Sequence, residues 1–311
     1  MHRRSKYIAI VLFSALVIAY EAVAIELALN TLSLDLFLVG SMPAIIAGLI
    51  IIALNPRPTA GLLRGLKRRG WAFLTLLSVF AAVGVILWYD AVGRIGAGKE
   101  AILGGGSSEV LFVVVLSALF LGERLKRLEV LGSLLILLGV FLVLVNKDTL
   151  EITLGLGEVE AIVSSFFLGA SAVMMARVLR DYAVLPISGV ELVFSGAILL
   201  AIGMVLLPIS WPDPVGWAVM IGLGLFPALS ITTYYIGLQG IGASLTSVLF
   251  SLSGILTVVA QGSILLLVPI DVILPENLLL ALIGGAIAVV GVYLLNRRQD
   301  GHKVPEALPP A

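Results

Sequence analysis

Glutamates standing inside apolar runs are the residues of this chain with chemistry to do, because a carboxyl in hydrocarbon needs a reason to be there. Glu109 closes the stretch Gly104 to Glu109 (GGGSSE) near the middle of one such run. An ionisable side chain at the centre of a membrane helix costs about 2.5–3.5 kcal/mol on insertion scales. Glu109 is therefore a candidate for substrate or proton binding; the alternative is a protonated carboxyl hydrogen-bonded to a neighbouring helix. The glycines and serines beside it, Ser108 among them, let another backbone approach or turn carbonyls toward a cavity. Glu21 shares a helical stripe with Ser14. Glu26 lies about 140° around that helix from Glu21, so the two cannot both face one narrow cavity. The deeper Glu21 is the inward candidate, and Glu26 reads as an interfacial group. Glu191 forms a polar face with Ser188 and Ser195, for which packing is the favoured role. Lys99 and Glu100 open the run that holds Glu109, either as an outer gate or as the solvated start of a helix.

A later run carries two polar stripes, Ser244, Ser247, Ser251, Gly254 and Thr246, Ser253, Thr257, with Gln261 beyond them. A lipid-facing helix has no use for these, which makes Ser251 and Thr257 binding candidates and Gln261 a cavity-lining one. Serine and threonine hydroxyls can also be satisfied on their own backbone. Two aromatic pairs, Trp88–Tyr89 and Tyr234–Tyr235, fit either a membrane-interface belt or a gate that stacks on cations.

The elements that position these groups follow from composition. Of 311 residues, 60% are hydrophobic and 12% charged, at a net charge of zero, and the mean hydropathy is +1.16. Half the usual charge density of about 25% cannot solvate a protein in water. Apolar runs bounded by Pro, Asn, Gly and charges predict ten spans, near Tyr7–Leu29, Leu34–Leu54, Trp71–Asp90, Ala97–Leu121, Leu128–Val145, Gly157–Leu179, Pro186–Leu207, Pro214–Tyr235, Gly242–Val268 and Leu278–Leu295. The first is too long and too acidic for a signal peptide and reads as a retained helix. With the N-terminus inside, 16 of the 19 Lys and Arg fall in cytoplasmic segments and only Arg94, Lys99 and Lys147 outside. That asymmetry predicts cytoplasmic termini in a multi-pass plasma-membrane protein.

The chain also repeats itself. Tyr89 to Leu103 (YDAVGRIGAGKEAIL) aligns with Tyr235 to Leu249 (YIGLQGIGASLTSVL) at an offset of 146. Gly132, Gly139 and Asn146 match Gly284, Gly291 and Asn296, and Gly48 matches Gly196. Two copies of a five-helix unit, over 1–148 and 149–298, must enter the membrane in opposite senses, because five is odd. Inverted repeats of this kind are a transporter architecture with a site near the midplane. A tail over 299–311, with Pro305, Pro309 and Pro310, reads as disordered and cytoplasmic, and the basic loop Pro56 to Gly70 as lying against anionic headgroups.

Leu119 to Leu125 (LFLGERL) followed by the Gly-rich Leu131 to Val145 resembles the end of an EamA domain of the drug/metabolite transporter superfamily. The resemblance spans nearly the whole chain as two tandem domains. It implies a ten-helix secondary transporter of small metabolites, often an exporter of amino acids or related compounds. It further implies a central cavity formed by the first, third and fourth helices and their counterparts, the sixth, eighth and ninth. The second copy departs from the motif, with Pro269, Ile270 and Asp271 in place of Gly-Glu-Arg, and the proline often found midway along helices four and nine is absent.

No Lys or Arg falls near the midplane to replace water around a phosphate, so the acidic interior suits a cationic, zwitterionic or neutral polar solute. Burial disfavours the charged form of a carboxyl, which makes proton linkage an expectation. There is no phosphate-binding loop or H-E-x-x-H, the chain lacks Cys, and His2 and His302 lie in the tails. An enzyme is thereby disfavoured. The alternatives are an oligomeric channel or facilitative pore and, more weakly, a membrane-embedded enzyme. Expected partners are the substrate, membrane lipid and protons, with no cofactor, metal or nucleic acid, in a monomer or homodimer.

Overall fold

A computed structural model of the chain describes residues 2–121, 127–144, 154–206, 208–267, 272–275 and 277–296. The regular elements among them are all helical. Most of the Gly-Glu-Arg motif, Lys147, Asp271 and the tail lie outside the described residues. Helix α1 spans His2–Glu26 and continues as a wider π-type turn over Leu27–Thr31. Then come α2 (Leu36–Leu54), α3 (Pro56–Gly65) and α4 (Arg68–Ile95). A fourth apolar segment follows in three pieces, α5 (Ala97–Leu103), a second π-type turn (Gly104–Ser108) and α6 (Glu109–Leu121), and α7 (Arg127–Leu144) closes the first half. The second half holds α8 (Leu156–Val178), α9 (Val184–Leu206), α10 (Pro214–Leu223), α11 (Leu225–Ile241), α12 (Ala243–Phe250), α13 (Ser253–Leu267) and α14 (Leu278–Asn296).

Six of these segments are long and apolar enough to cross a membrane, with shorter apolar helices at Leu131–Leu144, Ser253–Leu266 and Leu278–Gly291. The interruptions have local causes. Pro227 has no N–H to return to Leu223, and the chain breaks between α10 and α11 at Gly224. The three glycines at 104–106 favour the wider turn that divides α5 from α6. The segment expected as a basic loop is instead helical: Pro56 starts α3, where its missing N–H costs nothing, and Thr59 donates to the Asn55 carbonyl at 2.8 Å. Arg57, Arg64, Lys67, Arg68 and Arg69 are all exposed there.

The helices pack in antiparallel pairs, α2 with α9, α7 with α14, α4 with α8 and α1 with α11. Small residues let the first two pairs approach closely. A methyl added at Gly284 would stand 2.6 Å from the Gly139 carbonyl oxygen, and one at Gly291 2.6 Å from that of Gly132. The same holds for Gly48 against Gly189 (2.6 Å) and Gly196 against Ser41 (2.8 Å). These contacts come in couples that exchange the matched positions. The Gly132–Gly291 contact becomes Gly284–Gly139, and Gly48–Gly189 becomes Gly196–Ser41.

The repeated Ile-Gly-Ala encodes a turn made twice. Gly96 has φ 82° and ψ 152° between α4 and α5, and Gly242 has φ 83° and ψ 163° between α11 and α12. That backbone region is open essentially to glycine alone. At Gly96 an added methyl would also collide with the Ile273 carbonyl. Gly96→Ala is expected to cost about 1–3 kcal/mol, seen as a lower thermal midpoint in detergent. Gly262→Ala, on α13 with open space around it, should leave the midpoint unchanged or slightly raised.

Candidate functional site

The two halves enclose a cavity of about 140 Å³ lined by Glu21, Glu100, Glu109 and Glu191 together with Trp88, Tyr89, Tyr234, Tyr235 and Phe250. No Lys or Arg lines it among the described residues. Glu21 comes from α1. Its carboxylate accepts from the Tyr89 hydroxyl of α4 at 3.3 Å and from the Ser230 hydroxyl of α11 at 3.0 Å. Glu100 of α5 accepts from the Trp88 indole N–H at 2.7 Å. On α9, Glu191 accepts from the Tyr235 hydroxyl at 3.3 Å. Glu109, at the start of α6, is 7% exposed and receives no hydrogen bond or cation from the described residues. A half-buried indole and three buried phenols thus sit beside four carboxyls, chemistry suited to holding a cation or a transferable proton.

Tyr89 and Tyr235 occupy matched positions, yet their carboxylate partners come from non-equivalent helices, α1 and α9. The second copy holds Leu245 and Thr246 at the positions of Lys99 and Glu100, so the fourth segment supplies the two central carboxyls by itself.

Several expected roles change in three dimensions. Glu191, read as a packing residue, faces the cavity, because α9 crosses α2 closely at small residues and both helices contribute wall. Gly40 and Ala44 of α2 and Ser195 and Gly196 of α9 line it as well, which adds two helices to the six implied by the family resemblance. Glu26, read as interfacial, is wholly buried away from the cavity. Its carboxylate accepts from the Ala97 backbone N–H at 3.0 Å and from the Gln261 amide at 2.7 Å, and the Ile273 N–H also reaches it. Gln261 is thereby a tie between helices and does not line the cavity. Lys99 is also enclosed: its ammonium meets Glu158 of α8 at 2.6 Å, with neither residue more than 6% exposed. The solvated reading of Lys99 and Glu100 fails for both.

Ser14 donates to the Ser230 carbonyl at 2.6 Å and fastens α1 to α11 outside the cavity. Ser108 and Ser251 are buried and off its wall, whereas Ser253 and Thr257 lie on it. Thr257 bonds the Ser253 carbonyl at 2.8 Å and Ser247 that of Ala243 at 2.9 Å, the self-satisfied arrangement open to helical hydroxyls. The side chain of Ser244 lies outside the described residues. All four aromatic candidates, Trp88, Tyr89, Tyr234 and Tyr235, reach the cavity.

Sequence reasoning passed over Glu158, Glu160 and Ser230. Glu158 and Glu160 stand in the opening turns of α8, and Arg94 bridges Glu160 at 3.1 Å and Asp90 at 3.0 Å. Acidic residues opening a helix just past a run boundary were the available signal for the pair. Nothing in the sequence singles out Ser230.

Tandem helical halves closed around a carboxyl-bearing chamber in an apolar protein define the class, a membrane transporter. The chain belongs to the EamA-like transporter family, whose profile matches residues 5–145 and again 155–297, two tandem EamA domains of the drug/metabolite transporter superfamily. An uncharacterized transporter of Methanothermobacter thermautotrophicus is 26% identical over 234 residues, spanning 70% of this chain and 67% of that protein. A solved crystal structure shares the fold at a TM-score of 0.63 and 19% identity, over 94% of this chain and 97% of the other.

Removing one partner of a buried ion pair strands the other charge, at a cost of about 3–5 kcal/mol. Lys99→Met should therefore lower the thermal midpoint sharply, and the double variant with Glu158→Gln should recover most of the loss. A double-mutant cycle on the purified protein measures this coupling.

Proposed function

We propose that this protein is an alternating-access secondary carrier for a small cationic or zwitterionic metabolite, an amine or amino acid. It moves the solute outward across the plasma membrane in exchange for a proton. The observation that carries the reading is Glu109: three of the four cavity carboxyls are engaged by protein donors, and this one is buried, faces the cavity and has no partner among the described residues. An ammonium group or a proton supplies the missing partner, and competition between the two for one carboxyl couples their movements.

Ten spans in two inverted five-helix repeats suit this mechanism. The antiparallel crossings, coupled by exchange of matched glycines, support that arrangement, and alternating access follows when the halves swap conformations. The bias of basic residues supports cytoplasmic termini. The exposed arginines of α3 and the turn after it then sit at the height of anionic headgroups.

In proteoliposomes, amine uptake should saturate and show counterflow, as a carrier does and an open pore does not. Glu109→Gln should reduce exchange by at least about tenfold and abolish its response to a pH gradient. Uptake indifferent both to that substitution and to collapse of the gradient would overturn the coupling.

A further inference from the structure

Resting on the carrier reading, we infer that the preferred substrate is a small organic dication, a compact α,ω-diamine with one ammonium end in each of two carboxyl–aromatic clusters. The first cluster joins Glu21, Tyr89, Trp88 and Glu100; its rings meet edge to face with centroids 4.8 Å apart. The second joins Glu109, Tyr234, Tyr235 and Glu191, with ring centroids 6.1 Å apart and Phe250 at 4.7 Å from Tyr234. Glu109 shares the cavity wall with Tyr234, Tyr235 and Glu100 and lies within electrostatic reach of all three. Each cluster offers an ammonium two carboxyl groups and aromatic rings, the setting that holds a desolvated alkylammonium.

Two features select two charges over one. The aromatic pairs come from matched positions of the repeat, so one cavity holds the same kind of subsite twice. Ser230, which donates to Glu21, and Tyr235, which donates to Glu191, are five residues apart on α11, an axial rise of about 7.5 Å between their backbones, so the two carboxyls are anchored about one and a half turns apart on one helix, on the scale of a short methylene chain. The wall of the same cavity includes the apolar Ala81, Ala82 and Val85, which suit methylenes and not a further polar group. A zwitterion brings a carboxylate that no lining cation can meet, since Lys99, the lysine nearest in sequence, is engaged by Glu158. A monoamine leaves one cluster with neither a counter-charge nor a ligand.

Diaminobutane, butylamine and gamma-aminobutyrate present the same carbon chain as dication, monocation and zwitterion, and their half-saturation for uptake into proteoliposomes decides the matter. The diamine should bind at least about tenfold more tightly than either of the others, and affinity across diamines of increasing length should pass through a maximum. Glu21→Gln and Glu191→Gln should each bring the diamine curve down onto that of butylamine. Because the length series uses the unaltered protein, it stands even if a variant fails to fold. Equal affinities with a flat length series, or a diamine preference that survives both substitutions, would overturn the inference. Saturable, Glu109-dependent uptake of butylamine without a diamine advantage sinks the dication alone; no saturable uptake of any of the three sinks the carrier reading with it.

Discussion

Backbone-to-backbone approach at a handful of glycines is the constraint on which the rest of this molecule depends. In hydrocarbon there is no hydrophobic gain in bringing helices together, so association rests on close packing and on polar ties. Gly132, Gly139, Gly284 and Gly291 press α7 against α14, and Gly48, Gly189 and Gly196 press α2 against α9. These pairs join one half of the chain to the other. With them in place, α1, α4, α9 and α11 are held at the distances that bring Glu21 to Tyr89 and Glu191 to Tyr235.

The polar groups then divide by what they meet. Some are spent on architecture: Glu26 gathers the start of α5, the side chain of Gln261 and the strand of chain at Ile273, and Lys99 and Glu158 neutralise one another. On the cavity wall Glu21 is held by two hydroxyls, Glu191 by the Tyr235 hydroxyl and Glu100 by an indole, neutral donors that orient a carboxylate without neutralising it, and Glu109 receives none from the described residues. An interior like this is poor in compensation when empty and gains most from an incoming cation. The architectural acids and those on the cavity wall thus differ in where they face and how fully their partners satisfy them, not in depth.

Much of the arrangement could be read from sequence, and the limits have a physical source. The apolar helical character, the glycine matches and the repeated Ile-Gly-Ala are local or periodic signals, and the structure gives each a material counterpart, with six segments long and apolar enough to span. The angular argument that Glu21 and Glu26 face different ways also holds, because it concerns a single helix axis. What a helical wheel cannot supply is the neighbour. The stripe that holds Glu191 says nothing about which helix it faces, and the counter-ion of Lys99 is 59 positions away. Ser230, 209 positions from the carboxylate it serves, sits in an unremarkable setting. The helical start at Pro56 was masked by the charge that follows it.

The repeat is faithful in backbone and unfaithful in charge. Perfect exchange of the halves would make the two facing directions of an empty carrier equal in energy. Lys99 and Glu100 have only Leu245 and Thr246 as counterparts, and the tyrosine partners sit on non-equivalent helices, so that degeneracy is lifted. In a carrier that alternates as proposed, the unloaded molecule would accordingly rest more on one side than the other. In the proposed proton-coupled carrier, such a resting bias would leave the final gradient unaltered and make the apparent affinities on the two faces unequal. Such a carrier would be a kinetic rectifier built from the charges that duplication did not preserve.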